Sequence, residues 1–271
     1  MKLTDILNEV SKASPEVFEN KADRRDILKN FGLKIAAVAT PFAVSSLWAN
    51  KAQAKTTDVL AEAIVYVLKL GYMQADFYRQ ALMVPGLIPA SDVSAFEKIK
   101  KDKDAHVAYW IFYLNATNNA VPKKNLFDFS VKGAISKVFT DYNTFLSLAH
   151  AIEDAGVRMY LDSTKNLLTN KAFRIDAINI ATTNARHAAH VRMLRRNLGV
   201  NMMPWVTGTE ANSIIGEIRK AYQIEDNTKQ LNQTTVGING FDISASAATE
   251  AFDEPMLEVD GLQFINPFIT N

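Results

Sequence analysis

The chain has 271 residues, 48% hydrophobic and 22% charged, with 30 Lys+Arg against 29 Asp+Glu. A net charge of +1 argues against nucleic acid as a partner, since such binders concentrate basic residues on one surface. With no cysteine there are no disulfides, no thiol catalysis and no thiolate-bound metals, so any metal must rest on Asp, Glu or the histidines His106, His150, His187 and His190.

Arg24-Arg25-Asp26-Ile27-Leu28-Lys29 precedes an apolar stretch from Phe31 to Ala49, interrupted by Lys34, and then Ala52-Gln53-Ala54. Paired arginines, a modest apolar region and a small-x-small motif predict a twin-arginine export signal over residues 1–54, cut after Ala54. Arg24, Arg25, Ala52 and Ala54 carry that reading. It places the protein in the periplasm or cell envelope, with transient membrane contact during export. An uncut anchor is the competing reading, weakened by Lys34, Pro41 and the serines. The leader holds 8 Lys+Arg and 6 Asp+Glu, leaving 22 and 23 in residues 55–271, so the mature chain is near neutral.

Apolar residues recur at helical spacing from Thr57 to Met83, and Pro85-Gly86 ends the pattern. Ser91 and Asp92 can cap a second helix reaching about Asn115. A third is predicted from about Ile135 to Leu168. The fourth runs from about Lys171 to Leu198, where Gly199 suits a left-handed terminus. Short links within the first and second pairs make two antiparallel hairpins, and residues 116–134 are long enough to cross the bundle between them. The fold class is therefore all-α: an up-down four-helix bundle over 55–200 with one long crossover. An irregular extension, 201–271, is expected to pack on it. The extension should hold a helix around Thr209–Tyr222, a turn at Gly237-Ile238-Asn239-Gly240 and a short helix around Ser246–Ala251. Trp205, Phe252 and Phe264 are its expected anchors.

One uncommon residue lies near the middle of each helix on the inward stripe. These are Gly71, then Lys103 with His106 three later, then Glu153, then Asn184 with His187 three later. Buried polar groups must be paired, so four such positions at one depth suggest a common site; the alternative is four separately satisfied core residues. His150 and His190 fall off the stripe and are expected at the surface or its boundary. A small-molecule pocket lined by Trp110, Tyr113 and Tyr160 is a further possibility, although aromatics at helical spacing are usually core. No nucleophilic triad, phosphate-binding glycine loop or acid–base carboxylate pair can be placed, and no catalytic residue is expected.

Leu70-Gly71-Tyr72-Met73-Gln74-Ala75-Asp76-Phe77-Tyr78, Asp104-Ala105-His106-Val107, Ile152-Glu153-Asp154-Ala155-Gly156 and Ala185-Arg186-His187-Ala188 carry a resemblance that covers most of residues 20–271. It extends to Glu225-Asp226-Asn227-Thr228 and Ala251-Phe252-Asp253-Glu254-Pro255. In this order and spacing the segments resemble exported bacterial proteins of the ferritin-like family. That resemblance implies a two-metal site with one Glu from each of two helices and Glu-x-x-His from each of the others. By position, Glu153 matches one carboxylate, and His106 and His187 match the histidines. Gly71, Lys103 and Asn184 stand where the remaining carboxylates are expected, so no metal cofactor is expected. If any metal binds, the ligands would be His106, Glu153 and His187. Losing two cations would leave Glu153 bare, so Lys103 is expected beside it as a buried ion pair, with Asn184 and the imidazoles completing the hydrogen bonds and Gly71 leaving room. The function so implied is a non-catalytic scaffold or binding subunit, as a homo-oligomer or paired with a metal-competent relative. The alternative is an iron- or manganese-binding redox or iron-handling protein.

Overall fold

The computed structural model describes residues 54–165, 170–209 and 216–270. The leader positions Arg24, Arg25 and Ala52 lie outside the described residues. Ala54 is the first residue of α1, Ala54–Leu82. The other long helices are α2, Val93–Ala116, α3, Tyr142–Lys165, and α4, Lys171–Asn197.

Three of these match the periodicity closely; α3 starts later than Ile135. Residues around Val131–Lys137 have left-handed backbone angles (Val131 φ 51°, Gly133 φ 91°, Lys137 φ 69°) that no helix accommodates. Asp141 then sets the start, its carboxylate accepting the Thr144 N–H at 2.7 Å. At the second helix Asp92 is the N-cap residue but makes no side-chain cap bond; its carboxylate accepts from the Tyr142 hydroxyl at 2.7 Å instead.

Helix directions follow from which residues meet. Gly71 faces Val107 while Tyr78 packs on Phe96, so α1 and α2 are antiparallel. His150 meets Arg195 and Asp154 meets Arg192, so α3 and α4 are antiparallel too. Between α2 and α3, Lys103 meets Glu153 and Trp110 meets Tyr160. Both numbers rise together, so these helices are parallel. The order is up-down-down-up, which requires one connection to traverse the bundle. It does so along α1: Tyr72 donates to the Pro122 carbonyl, Lys124 pairs with Asp76, and Gln80 donates to the Phe127 carbonyl.

The extension comprises a 3-10 turn, Gly216–Tyr222, a two-strand ladder pairing Lys229–Gln230 with Gln233–Thr234, and short helices α5, Ala245–Glu250, and α6, Glu258–Ile265. Only the last part of the helix expected over Thr209–Tyr222 is described, and it is 3-10. The turn at Gly237–Gly240 needs positive φ at Gly237, Asn239 and Gly240. α6 lies close to α1 because Gly261 has no side chain: a Cβ there would stand 2.1 Å from the Tyr66 hydroxyl.

This extension makes α3 the central helix. Residues on all its sides are buried, including His150, Asp154 and Arg158 at a spacing of four. His150, expected near the surface, is fully enclosed at 0% exposure; His190 is exposed as expected. The His150 Nδ1 lies 3.2 Å from the Leu146 carbonyl, and burial with Arg192 and Arg195 nearby keeps the imidazole neutral. Arg158 clasps the extension: it lies 2.5 Å from Glu225 and donates to the carbonyls of Ala221, Gln223 and Glu254. Burial pushes the Glu225 carboxyl up, against the pull of that guanidinium. The motif segments at Glu225 and Glu254 thus meet around one arginine, with the Glu254 N–H donating to Glu225.

Of the three expected anchors only Phe264 serves, at 1% exposure; Trp205 and Phe252 remain 45% and 43% exposed. Met256, Ile265 and Phe268 supply the rest, and Phe268 packs on Phe129 of the crossover. Among the described residues no helix is long and apolar enough to cross a membrane. Phe264→Ala should lower stability by about 3–5 kcal/mol in denaturant unfolding, whereas Phe252→Ala should change it by less than about 1 kcal/mol. Equal losses would refute this assignment of anchors.

Candidate functional site

Lys103 and Glu153 are both at 0% exposure in the bundle core. The Lys103 Nζ donates to Glu153 Oε2 at 2.5 Å and to Asn184 Oδ1 at 2.7 Å. The Tyr78 hydroxyl donates to the other carboxylate oxygen at 2.8 Å. His187 stands between two acids: its Nε2 is 3.1 Å from Asp102 Oδ2, and its Nδ1 lies 3.4 Å from Glu153 Oε2. His106 is half-buried one helical turn from Lys103.

The expected positions Lys103, Glu153, Asn184 and His187 are therefore brought together, with His106 beside them. Gly71 plays another part. Its missing Cβ would contact Val107 at 3.1 Å, with no Lys103 atom within 4 Å of that point, so it lets α1 approach α2. From α1 the groups that reach the site are Tyr78 and Gln74, the latter donating to the Ile152 carbonyl at 3.2 Å. Gln74 and Tyr78 lie on the Gly71 stripe, three and seven residues on respectively, which is the signal that could have found them. Asp102 was also missed, being next to Lys103 in sequence but on the His187 side.

Gly156 sets the distance between helices here. A Cβ on it would sit 2.6 Å from Gln74 Nε2 and 2.8 Å from Asn184 Nδ2, so glycine lets two amides approach α3 closely. The aromatic set is core packing: Trp110 and Tyr160 are both 1% exposed and the indole N–H donates to the Tyr160 hydroxyl at 2.9 Å.

Burial opposes the charge on Glu153, but the Lys103 ammonium and His187 outweigh it and hold the carboxyl at about 2, against an ordinary 4.5. Burial, with Lys103 and His187 adding to it, brings His106 to about 3 from an ordinary 6.5. Burial pulls the Lys103 ammonium down from its ordinary range, with Glu153 and Asp102 acting against that pull. At neutral pH Glu153 is ionised and His106 neutral.

The residue profile of the ferritin-like domain matches residues 59–197, from α1 to the end of α4, so the chain belongs to the ferritin-like domain family. No curated protein matches it significantly. The two-metal centre implied by the resemblance is the comparison for this cluster. Two divalent cations need several anionic oxygens between them, and here the single fully buried carboxylate at the centre is already bound to an ammonium 2.5 Å away. Among the described residues no three His, Asp or Glu side chains are placed to hold a metal ion.

Two predictions follow from this geometry. Lys103→Met alone leaves a bare carboxylate and Glu153→Leu alone a bare ammonium, each costing about 3–5 kcal/mol, while the double change is close to neutral. A double-mutant cycle in denaturant unfolding measures the coupling, and additive losses would remove the pair. The second concerns acid. The unfolded chain takes up protons at His106 near 6.5 and the folded one only near 3, so stability falls as pH drops through that window. Glu153 continues the loss from about 4.5 toward 2. Melting temperature followed against pH should show this decline, shallower in His106→Gln; an unchanged slope would contradict it.

Proposed function

We propose that the protein is an exported ferritin-like scaffold, a non-catalytic binding or structural subunit of the cell envelope that has given up two-metal chemistry. The observation that supports this most is the buried Lys103 ammonium, held by Glu153 and Asn184 at 2.5 and 2.7 Å. A fixed cation at that point repels metal ions electrostatically and takes the one central carboxylate a metal would use. Charge balance is kept with a single positive group, so the bundle core needs no metal to enclose Glu153.

The envelope location rests on Arg24-Arg25 and Ala52-Gln53-Ala54. A scaffold without its own chemistry acts by contact, either with further copies of itself or with a relative that keeps the metal ligands.

Metal analysis of the protein purified from the envelope tests the reading. Well under one equivalent of iron or manganese is expected; stoichiometric metal would establish the redox or iron-handling alternative instead. For export, Arg24→Lys with Arg25→Lys should leave precursor in the cytoplasm, while the wild-type chain recovered from the envelope begins near Lys55. Undiminished export of that variant would refute the twin-arginine route.

A further inference from the structure

α3 buries Glu153 toward α2 and turns the next residue, Asp154, toward α4 and the extension. There a cavity of about 170 Å³ opens beside Asp154, Arg158 and Arg192. Both guanidiniums are already engaged. Arg158 holds Glu225 and three carbonyls. Arg192 donates to Asp154 Oδ2 at 2.5 Å and to the Trp205 carbonyl, and lies over the Tyr222 ring. The same Asp154 oxygen accepts from Tyr222 at 2.6 Å.

The rim is different in kind. Trp205 and Phe252 line the cavity while staying 45% and 43% exposed, so core packing does not explain them. Asp253 stands between Phe252 and the charged floor and makes no hydrogen bond or ion pair among the described residues. Among the described residues, Glu250 accepts from the hydroxyls of Thr207 and Ser246. Three carboxylates therefore face this cavity against two guanidiniums; among the described residues neither rim carboxylate forms a close ion pair, and Arg158 and Arg192 attract Asp253 only at longer range. Aromatic faces carry negative potential and attract cations, more so when these are partly desolvated. The inner wall is small and apolar, through Val157, Ala188 and Val206.

We propose that this cavity binds a small organic cation, an alkylammonium or quaternary ammonium, with its charge between the aromatic rim and Asp253 and its carbon skeleton on the apolar wall. An anion would meet three carboxylates against two guanidiniums that are already engaged. The volume is below the roughly 300–1,000 Å³ of drug-sized sites, which restricts the guest to a few heavy atoms. The proposal does not depend on the state of the Lys103 site, whose groups face other helices.

Isothermal titration of the full chain with choline, and with its neutral tert-butyl analogue, separates charge from shape. Saturable choline binding is expected, at least about tenfold tighter than the analogue, a difference of about 1.4 kcal/mol. Asp253→Asn and Trp205→Leu should each weaken it about tenfold or more, with melting temperatures unchanged because both side chains are exposed. Should Trp205→Leu unfold, Phe252→Leu gives the same reading. No saturable choline binding, equal binding of the neutral analogue, tighter binding of acetate, or full affinity in the variants would each overturn the proposal.

Discussion

Enclosing one ionised carboxylate in an apolar bundle is the constraint on which the rest of this structure depends. Glu153 has 0% exposure and would be prohibitive to bury alone. The cost is offset from three sides: Tyr78 of α1 donates to one oxygen, Lys103 of α2 to the other, and His187 of α4 stands close. Asn184 then accepts from Lys103 and so ties α4 to α2. A slip of one turn in any helix would strand a charge or a donor. The polar cluster therefore fixes register, while Phe77, Phe96, Phe145 and the other core residues supply the burial energy.

A second polar layer does the same for the extension. Asp154, Arg158 and Arg192 sit on the side of α3 facing the extension, and their partners include Tyr222, Glu225 and backbone carbonyls from residues 205–254. Such partners are individually modest in net worth, but among the described residues Arg158 takes its bonded partners from the extension, Glu225 and three carbonyls, whereas Arg192 and Asp154 also hold each other across α3 and α4. The bundle and its extension are in this sense one folding problem: α3 is polar on a face that α4 satisfies in part and the extension completes.

Much of this was legible from residue spacing. The four long helices, the crossover and the meeting of Lys103, Glu153, Asn184 and His187 all follow from stripes of period 3.6 and from charge balance. What was not legible has a common cause. His150, Asp154 and Arg158 recur every four residues, a pattern equally suited to a solvated face; only the extension, whose path no periodicity predicts, turns that face inward. Trp205 and Phe252 look like anchors because large aromatics usually are, yet they line an open cavity. Gly71 was assigned to the site by position along the helix, but a glycine's effect is felt where the neighbouring helix comes closest, here at Val107. The late start of α3 depended on left-handed residues before Asp141, which local sequence does not announce for Val131 or Lys137.

The central claim is that Lys103 is the resident cation of the core. Nitrogen NMR of the lysine side chains, on protein labelled at the lysine amine, reads it directly. The account predicts a Lys103 ammonium that is protonated at neutral pH, exchanges slowly with water and loses that protection in Glu153→Leu. A neutral amine at Lys103, or an ammonium exchanging as fast as those of exposed lysines, would contradict it.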